Sequence, residues 1–162
     1  MRALSKVRPE CLRLRAVDAD DLSVIAACLQ DALIPLSEMA YLPGEQRFMA
    51  AFCRFRRECL EDPDACEGLT QCCSVLTFEG VEAVKYRGLD PRLRRVRLEL
   101  LTIVAEPVAE RLTHVTLLFA GDAAIQLHVR EIAARLEDFG EPWPASAAPV
   151  HEPPAFLAAA GE

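Results

Sequence analysis

The sequence predicts an α+β protein: a curled antiparallel β-sheet or barrel with an N-terminal helix and a capping C-terminal helix. Three observations predict this class. Apolar and polar residues alternate in several stretches between residues 32 and 129, which is typical of strands with one buried face. Short turns join these stretches, which favours antiparallel pairing in a sheet that curls or closes. One stretch near each end of the chain has helical spacing instead.

The N-terminal part predicts a flexible leader over residues 1–10, then a short strand and a helix. Leu12 and Leu14 alternate with arginines, as in a strand with one solvated face. Asp18 is a favoured N-cap, and apolar residues recur at helical spacing after it. Pro35 requires this helix to end before about residue 33.

The next segment predicts a β-hairpin. A proline–glycine break indicates a four-residue connection over residues 43–46. In the second strand, Phe48 and Phe52 share one face, but Phe55 is out of phase with them. This change of phase predicts a β-bulge near Cys53.

Further strands follow an acidic surface loop at residues 58–70. Residues 72–88 are rich in β-branched and aromatic types and predict one long strand, or two strands bent at Gly80. Residues 95–106 predict another strand, and alternating residues on both sides of Gly121 predict a last hairpin.

The C-terminal helix is predicted from Ile132, Leu136 and Phe139, which recur at i, i+4 and i+7. Gly140 stands where a helix-ending glycine is expected, and this helix would cover the open end of the barrel. The element order is similar to that of the pleckstrin-homology-like barrel.

Length and composition favour one domain. The chain has 162 residues, which predicts a single domain over residues 11–140 and a disordered Pro/Ala-rich tail over residues 141–162. The net charge of −7 disfavours bulk nucleic-acid binding. Neither a secretory signal nor a transmembrane stretch is apparent, and the seven cysteines are an odd number, so reduced thiols in a cytoplasm are expected.

Two clusters of arginine are the best functional lead. One ends a predicted strand and the other begins one, so adjacent strand ends would form a cationic rim on an acidic protein. Arginine binds carboxylate and phosphate with a planar fork, which suits an acidic segment of a partner protein or a phosphorylated ligand. The alternative is a set of solvated charges paired with nearby acids. The candidate binding residues are Arg54, Arg56, Arg57, Arg92, Arg94, Arg95 and Arg97.

Enzymatic and metal sites are less favoured by the pattern. The spacing of Cys59, Cys66, Cys72 and Cys73 lacks the paired knuckles of a zinc site, and no phosphate-binding glycine loop occurs. We therefore expect a non-enzymatic binding or interaction module without catalytic residues, metal ligands or a cofactor. The alternative is a small enzyme or metal-binding protein, for which the candidate residues are Cys59, Cys66, Cys72, His114 and His128.

Several segments in order also resemble one protein family. They are LRLRAVDADDLSVIAACLQDA (12–32), MAYLPGEQRF (39–48), RFR-E (54–58), SVLTFEGVEAVKYRGLD (74–90), LELLTIVAEP (98–107) and VTLLFAGDAAIQLHVREIAARLEDFG (115–140). They resemble the bacterial domain-of-unknown-function family 2948 over roughly residues 12–143. The resemblance implies a bacterial cytoplasmic setting and assigns no catalytic residue. Cys53 and Arg57 depart from the family pattern, which has Asn and Trp there.

Overall fold

Within the part of the chain that the structure describes, the fold is a ten-stranded antiparallel sheet with one α-helix. This computed structural model describes residues 11–59 and 68–145. Nine of these strands join in one path that does not close on itself, and the tenth pairs with one strand of that path. The predicted α+β class, a pleckstrin-homology-like barrel with two helices, is therefore wrong, because the described residues form mostly antiparallel sheet with one short helix. The predicted leader, the candidate ligand Cys66 and residues 146–162 of the predicted tail lie outside the described residues.

The elements follow in this order: β1 Arg13–Ala16, α1 Ala19–Cys28, β2 Leu33–Pro35, β3 Met39–Leu42, β4 Arg47–Phe55, β5 Thr70–Phe78, β6 Val81–Arg87, β7 Arg97–Ala109, β8 Leu112–Phe119, β9 Ala123–Val129 and β10 Ala134–Pro144. Short 3-10 turns lie between strands at Leu36–Glu38, Arg57–Cys59 and Pro91–Leu93. None of the helices in the described ranges has the length and apolarity that a bilayer crossing requires.

The strand order is β1-β10-β5-β4-β2-β7-β8-β9-β6, and β3 pairs with the first half of β4. The sheet curls around an apolar core, which α1 covers from one side. We call the core-facing side the inner face; it carries, for example, Phe48, Phe52, Leu76, Leu117 and Leu136. We call the opposite side the outer face.

The N-terminal helix is confirmed. The Asp18 carboxylate accepts a hydrogen bond of 2.8 Å from the Asp21 amide and caps α1, as the sequence predicts. Leu22, Ile25 and Leu29 are buried in the core. The helix ends at Cys28, well before Pro35.

The predicted C-terminal helix is wrong, because residues 134–144 form β10. The spacing of Ile132, Leu136 and Phe139 fits one face of a helix, whereas in an alternating strand Phe139 lies on the opposite face to Leu136. Ala134 and Leu136 are buried on the inner face, whereas Phe139 is 52% exposed. Pairing with β5 on one side and β1 on the other decides between the two periods, which short-range spacing does not.

Gly140 lies in an irregular part of β10 and does not end a helix. Its φ is +77°, and the register with β5 shifts between Phe139 and Trp143, which marks a β-bulge. The strand continues to Pro144, so residues 141–144 belong to the sheet.

The predicted hairpin is confirmed: β3 and β4 are joined by residues 43–46. The predicted bulge near Cys53 is wrong, since β4 pairs with β5 without a register shift from Phe48 to Phe55. The alternation continues through Arg54, which is buried on the inner face in place of an apolar residue. The change of phase in the sequence is therefore the sign of a buried charge.

Candidate functional site

The first arginine cluster divides between the interior and the surface. Arg54 is fully buried, in a polar cluster that three neighbouring strands build on the inner face. β4 contributes Arg54, β5 contributes Ser74, and β10 contributes Asp138, which pairs directly with Ser74 in the sheet. Glu58, four residues after Arg54, completes the cluster from the 3-10 turn that follows β4.

Every N–H group of the Arg54 guanidinium has an acceptor. Nε donates to Asp138 Oδ1 and Ser74 Oγ at 2.9 Å, and Nη2 lies 2.7 Å from Asp138 Oδ2 and from Glu58 Oε1. Nη1 donates to Glu58 Oε2 at 3.1 Å and to the Phe55 carbonyl at 3.3 Å. Arg54 thus forms a pair of roughly parallel hydrogen bonds with each of two carboxylates, those of Asp138 and Glu58. It has no donor left for an external ligand.

Asp138 is equally well satisfied. It also accepts hydrogen bonds from the Ser74 hydroxyl and, at 3.0 Å, from the Leu12 amide. Burial favours a raised pKa for this carboxyl, but the hydrogen bonds from Arg54 and Ser74 outweigh burial and hold its pKa below the ordinary value. The pair is therefore charged, and it joins β4, β5, β10 and the chain before β1.

The other two arginines of this cluster also have partners. Arg56 is 4% exposed, and its Nη1 lies 3.4 Å from the Thr70 hydroxyl. Arg57 forms a 2.8 Å ion pair with Asp31, and its guanidinium lies 5.5 Å from the centre of the Phe55 ring.

The second cluster lies at the surface, before and at the start of β7. Arg92 is exposed and forms a 3.2 Å ion pair with Asp90. The Arg94 carbonyl accepts a 3.0 Å hydrogen bond from the Ser37 amide, which holds this segment against the 3-10 turn Leu36–Glu38. Arg95 and Arg97 line a cleft.

The two clusters do not meet at one rim. Cys53 and Glu99 both pair with Leu33, so β2 lies between β4 and β7. Arg97 is three positions before the level of Arg54, which is roughly 10 Å along the strands. Arg54 faces inward, whereas Arg97 lies on the outer face.

The cleft has a volume of about 600 Å³ and opens on the outer face. Its floor is the outer side of β2, β4 and β5, and is mostly apolar. One wall is the turn that carries Ser37 and Glu38, and the other is the arginine segment before β7. The lining residues are Leu33, Pro35, Ser37, Glu38, Ala51, Phe52, Cys53, Cys73, Arg95 and Arg97.

Two cysteines lie side by side in this floor. Cys53 on β4 pairs directly with Cys73 on β5, and both are free thiols. Gln71 Nε2 lies 3.5 Å from Cys53 Sγ. Burial raises the pKa of both thiols; Arg97 opposes this for Cys53, whereas Glu38 adds to it for Cys73.

The described candidates for the alternative, an enzyme or metal site, lie on four different elements: Cys59, Cys72, His114 and His128. Cys72 faces inward, and burial raises its pKa to about 11, while Cys59 is exposed after β4. His114 and His128 pair across β8 and β9, with ring centres 4.2 Å apart. No group of three or more His, Cys, Asp or Glu in residues 11–59 and 68–145 is placed to hold a metal ion.

The acidic partners of Arg54 and the apolar floor beside Arg95 and Arg97 were not predicted from the sequence. Asp138 and Leu136 share the inner parity of β10, as Arg54 and Phe52 share that of β4. A charged residue in phase with apolar ones was the available signal for the buried pair. The cleft has no such signal, because β2, β4, β5 and the turn at Leu36–Glu38 meet only in the folded sheet.

The chain belongs to a family described as a protein of unknown function, DUF2948, whose sequence profile matches residues 12–151. This confirms the family that the sequence segments between residues 12 and 140 predict. No curated protein and no solved structure matches the chain.

Proposed function

We propose that this protein is a non-enzymatic binding module of the bacterial cytoplasm whose outer-face cleft takes an acidic segment of a partner protein. The observation that carries the proposal is the cleft itself, where Arg95 and Arg97 stand beside an apolar floor. Arg54 and Arg56 have no part in it, because they are buried.

The two sides of the cleft suit two parts of a peptide. The guanidinium of an arginine binds a carboxylate through two parallel N–H bonds, so Arg95 and Arg97 suit an Asp or Glu side chain. The floor formed by Leu33, Pro35 and Ala51 suits a neighbouring apolar side chain. A cleft of about 600 Å³ has room for a few residues.

Glu38 favours a peptide over a phosphorylated ligand. A phosphate group carries nearly two negative charges at neutral pH, against one for a carboxylate, so the wall that carries Glu38 repels it more strongly. A peptide also brings backbone N–H groups, which can donate to the Glu38 carboxylate.

The test uses three fluorescein-labelled nine-residue peptides in which Leu alternates with Asp, with Asn or with phosphoserine. Fluorescence anisotropy measures their affinities. We expect the Asp peptide to bind and the Asn peptide to bind at least ~10-fold more weakly, because a charge-assisted hydrogen bond contributes about 1.5–3 kcal/mol. Tighter binding of the phosphoserine peptide would replace the acidic segment by a phosphorylated ligand.

Matched charge reversals locate the binding. Arg95→Glu should weaken the Asp peptide at least ~10-fold, since it removes one fork and adds a repulsive charge. Arg92→Glu makes the same change on an exposed residue that does not line the cleft and should leave the affinity nearly unchanged. Equal loss in both variants would show general charge attraction, and no loss in Arg95→Glu would remove the cleft from the proposal.

A further inference from the structure

We propose that Cys53 and Cys73 are a reversible dithiol–disulfide pair, oxidised by a low-molecular-weight disulfide such as oxidised glutathione. This modification site is independent of what the cleft binds. It rests on the pairing of the two residues across β4 and β5, on the backbone pattern around them and on their place in an open cleft.

The backbone pattern places the two thiols at the closest type of cross-strand position. The Arg56 amide donates to the Thr70 carbonyl at 2.8 Å, so Arg56 and Thr70 form a hydrogen-bonded pair that continues the β4–β5 ladder. Hydrogen-bonded and non-hydrogen-bonded pairs alternate in an antiparallel ladder. Cys53 and Cys73 are three positions earlier and therefore form a non-hydrogen-bonded pair.

This type of pair suits a disulfide. Cα atoms in a non-hydrogen-bonded pair are about 4.5 Å apart, and disulfides join Cα atoms about 4.4–6.8 Å apart. Directly opposed residues also project their side chains on the same face. The bond can therefore form without a change of strand register.

The reaction balances as two thiol–disulfide exchanges. The Cys53 thiolate, beside Arg97, attacks one sulfur of oxidised glutathione, which releases one glutathione thiolate and leaves a mixed disulfide. The Cys73 thiolate then attacks the Cys53 sulfur and releases the second glutathione. Two protons leave the protein, its two thiols are oxidised, and one oxidised glutathione is reduced to two thiols.

The neighbouring cysteines do not offer an equal alternative. Cys72 is adjacent to Cys73 in sequence but faces the core, where it is 2% exposed. Cys28 is partly buried beside the core, and Cys11 and Cys59 are exposed. None of these four pairs with another cysteine in the strand registers given above.

The experiment equilibrates the full chain in glutathione buffers of graded redox ratio, blocks remaining thiols with iodoacetamide and maps disulfides by mass spectrometry of proteolytic peptides. We expect a linked Cys53–Cys73 peptide that a dithiol reductant removes. Cys73→Ser should accumulate the mixed disulfide on Cys53 at least ~10-fold above the unsubstituted protein, because the resolving thiol is absent. Cys59→Ser is the control and should leave the Cys53–Cys73 link unchanged.

Thermal unfolding gives a second measurement on the unsubstituted protein. The link closes a loop of about 20 residues and should raise Tm by roughly 5–10 °C in the oxidised form. Links that join other cysteines instead, or a mixed disulfide that persists on Cys53 with Cys73 present, would overturn the proposal. An oxidised form that melts below the reduced form would also overturn it, since the native register would then not hold the thiols ready to bond.

Discussion

Arg54 and Arg95 are the same residue type in opposite environments. Arg54 lies on the inner face, where it is fully buried, and its guanidinium forms ion pairs with two carboxylates. Arg95 lies at the surface, on the wall of a cleft whose floor is largely apolar. The first arginine holds strands together, whereas the second belongs to the cleft for which we propose ligand binding.

The difference teaches that the pleat of the sheet, and not the local density of charge, decides what an arginine does. Along β4 successive side chains alternate between the two faces, so Arg54 is inward and its neighbour Cys53 is outward. A buried charge persists only with partners, which Asp138 and Glu58 supply from elsewhere in the chain.

The largest effect is expected for Asp138→Ala. It leaves the Arg54 guanidinium buried with one of its two carboxylates removed, and breaking a buried pair in this way costs about 3–5 kcal/mol. Urea unfolding measures the loss. Glu137→Ala is the matched control, because Glu137 is the preceding residue and pairs with Arg135 at the half-exposed surface, where an ion pair contributes about 0–1 kcal/mol. Similar losses in the two variants would contradict a special role for the buried pair.

Arg54→Lys should have the next largest effect. A lysine keeps the positive charge but has one ammonium group, which cannot form the two forks to Asp138 and Glu58. We expect a loss of about 2–3 kcal/mol in the free energy of unfolding, from weakened charge-assisted hydrogen bonds. A lysine variant as stable as the parent would show that the charge alone matters and that the fork geometry does not.

Acid should remove the same stabilisation. The pKa of Asp138 is lower in the folded protein than in the unfolded chain, so its contribution is complete above the unfolded pKa of about 3.9 and is lost as the pH falls through the folded pKa. The difference in unfolding free energy between the parent protein and Asp138→Asn should be constant from about pH 5 to 8 and should shrink below about pH 4. A difference that already shrinks at pH 6 would mean that another group, and not Asp138, governs it.

Much of the fold is predictable from the sequence where the signal is local. The cap at Asp18, the connection at residues 43–46 and the bend at Gly80, whose φ is +69°, all follow from residues close to them in the chain. β10 is not predictable in this way, because the spacing of its apolar residues fits a helix and its partners β1 and β5 lie far away in sequence.

The sites divide in the same way. The arginines are visible in the sequence, but Asp138 is 84 positions from Arg54, and only the order β10-β5-β4 brings them together. The cleft likewise needs β2 between β4 and β7, a three-residue strand that composition does not reveal. Binding by the seven candidate arginines stays a prediction, which we now place on Arg95 and Arg97.

The smallest effect on stability is expected for Arg95→Ala. An exposed side chain outside the core and outside a buried network changes the unfolding free energy by no more than about 0.5 kcal/mol. Urea unfolding measures this change, and Arg92→Ala should behave alike. A loss of 2 kcal/mol or more in Arg95→Ala would show that Arg95 is structural, as Arg54 is. Near-neutral stability together with lost affinity for the Asp peptide would separate the two arginines by role. Arg95 would then bind the ligand without stabilising the fold, whereas Arg54 stabilises the fold.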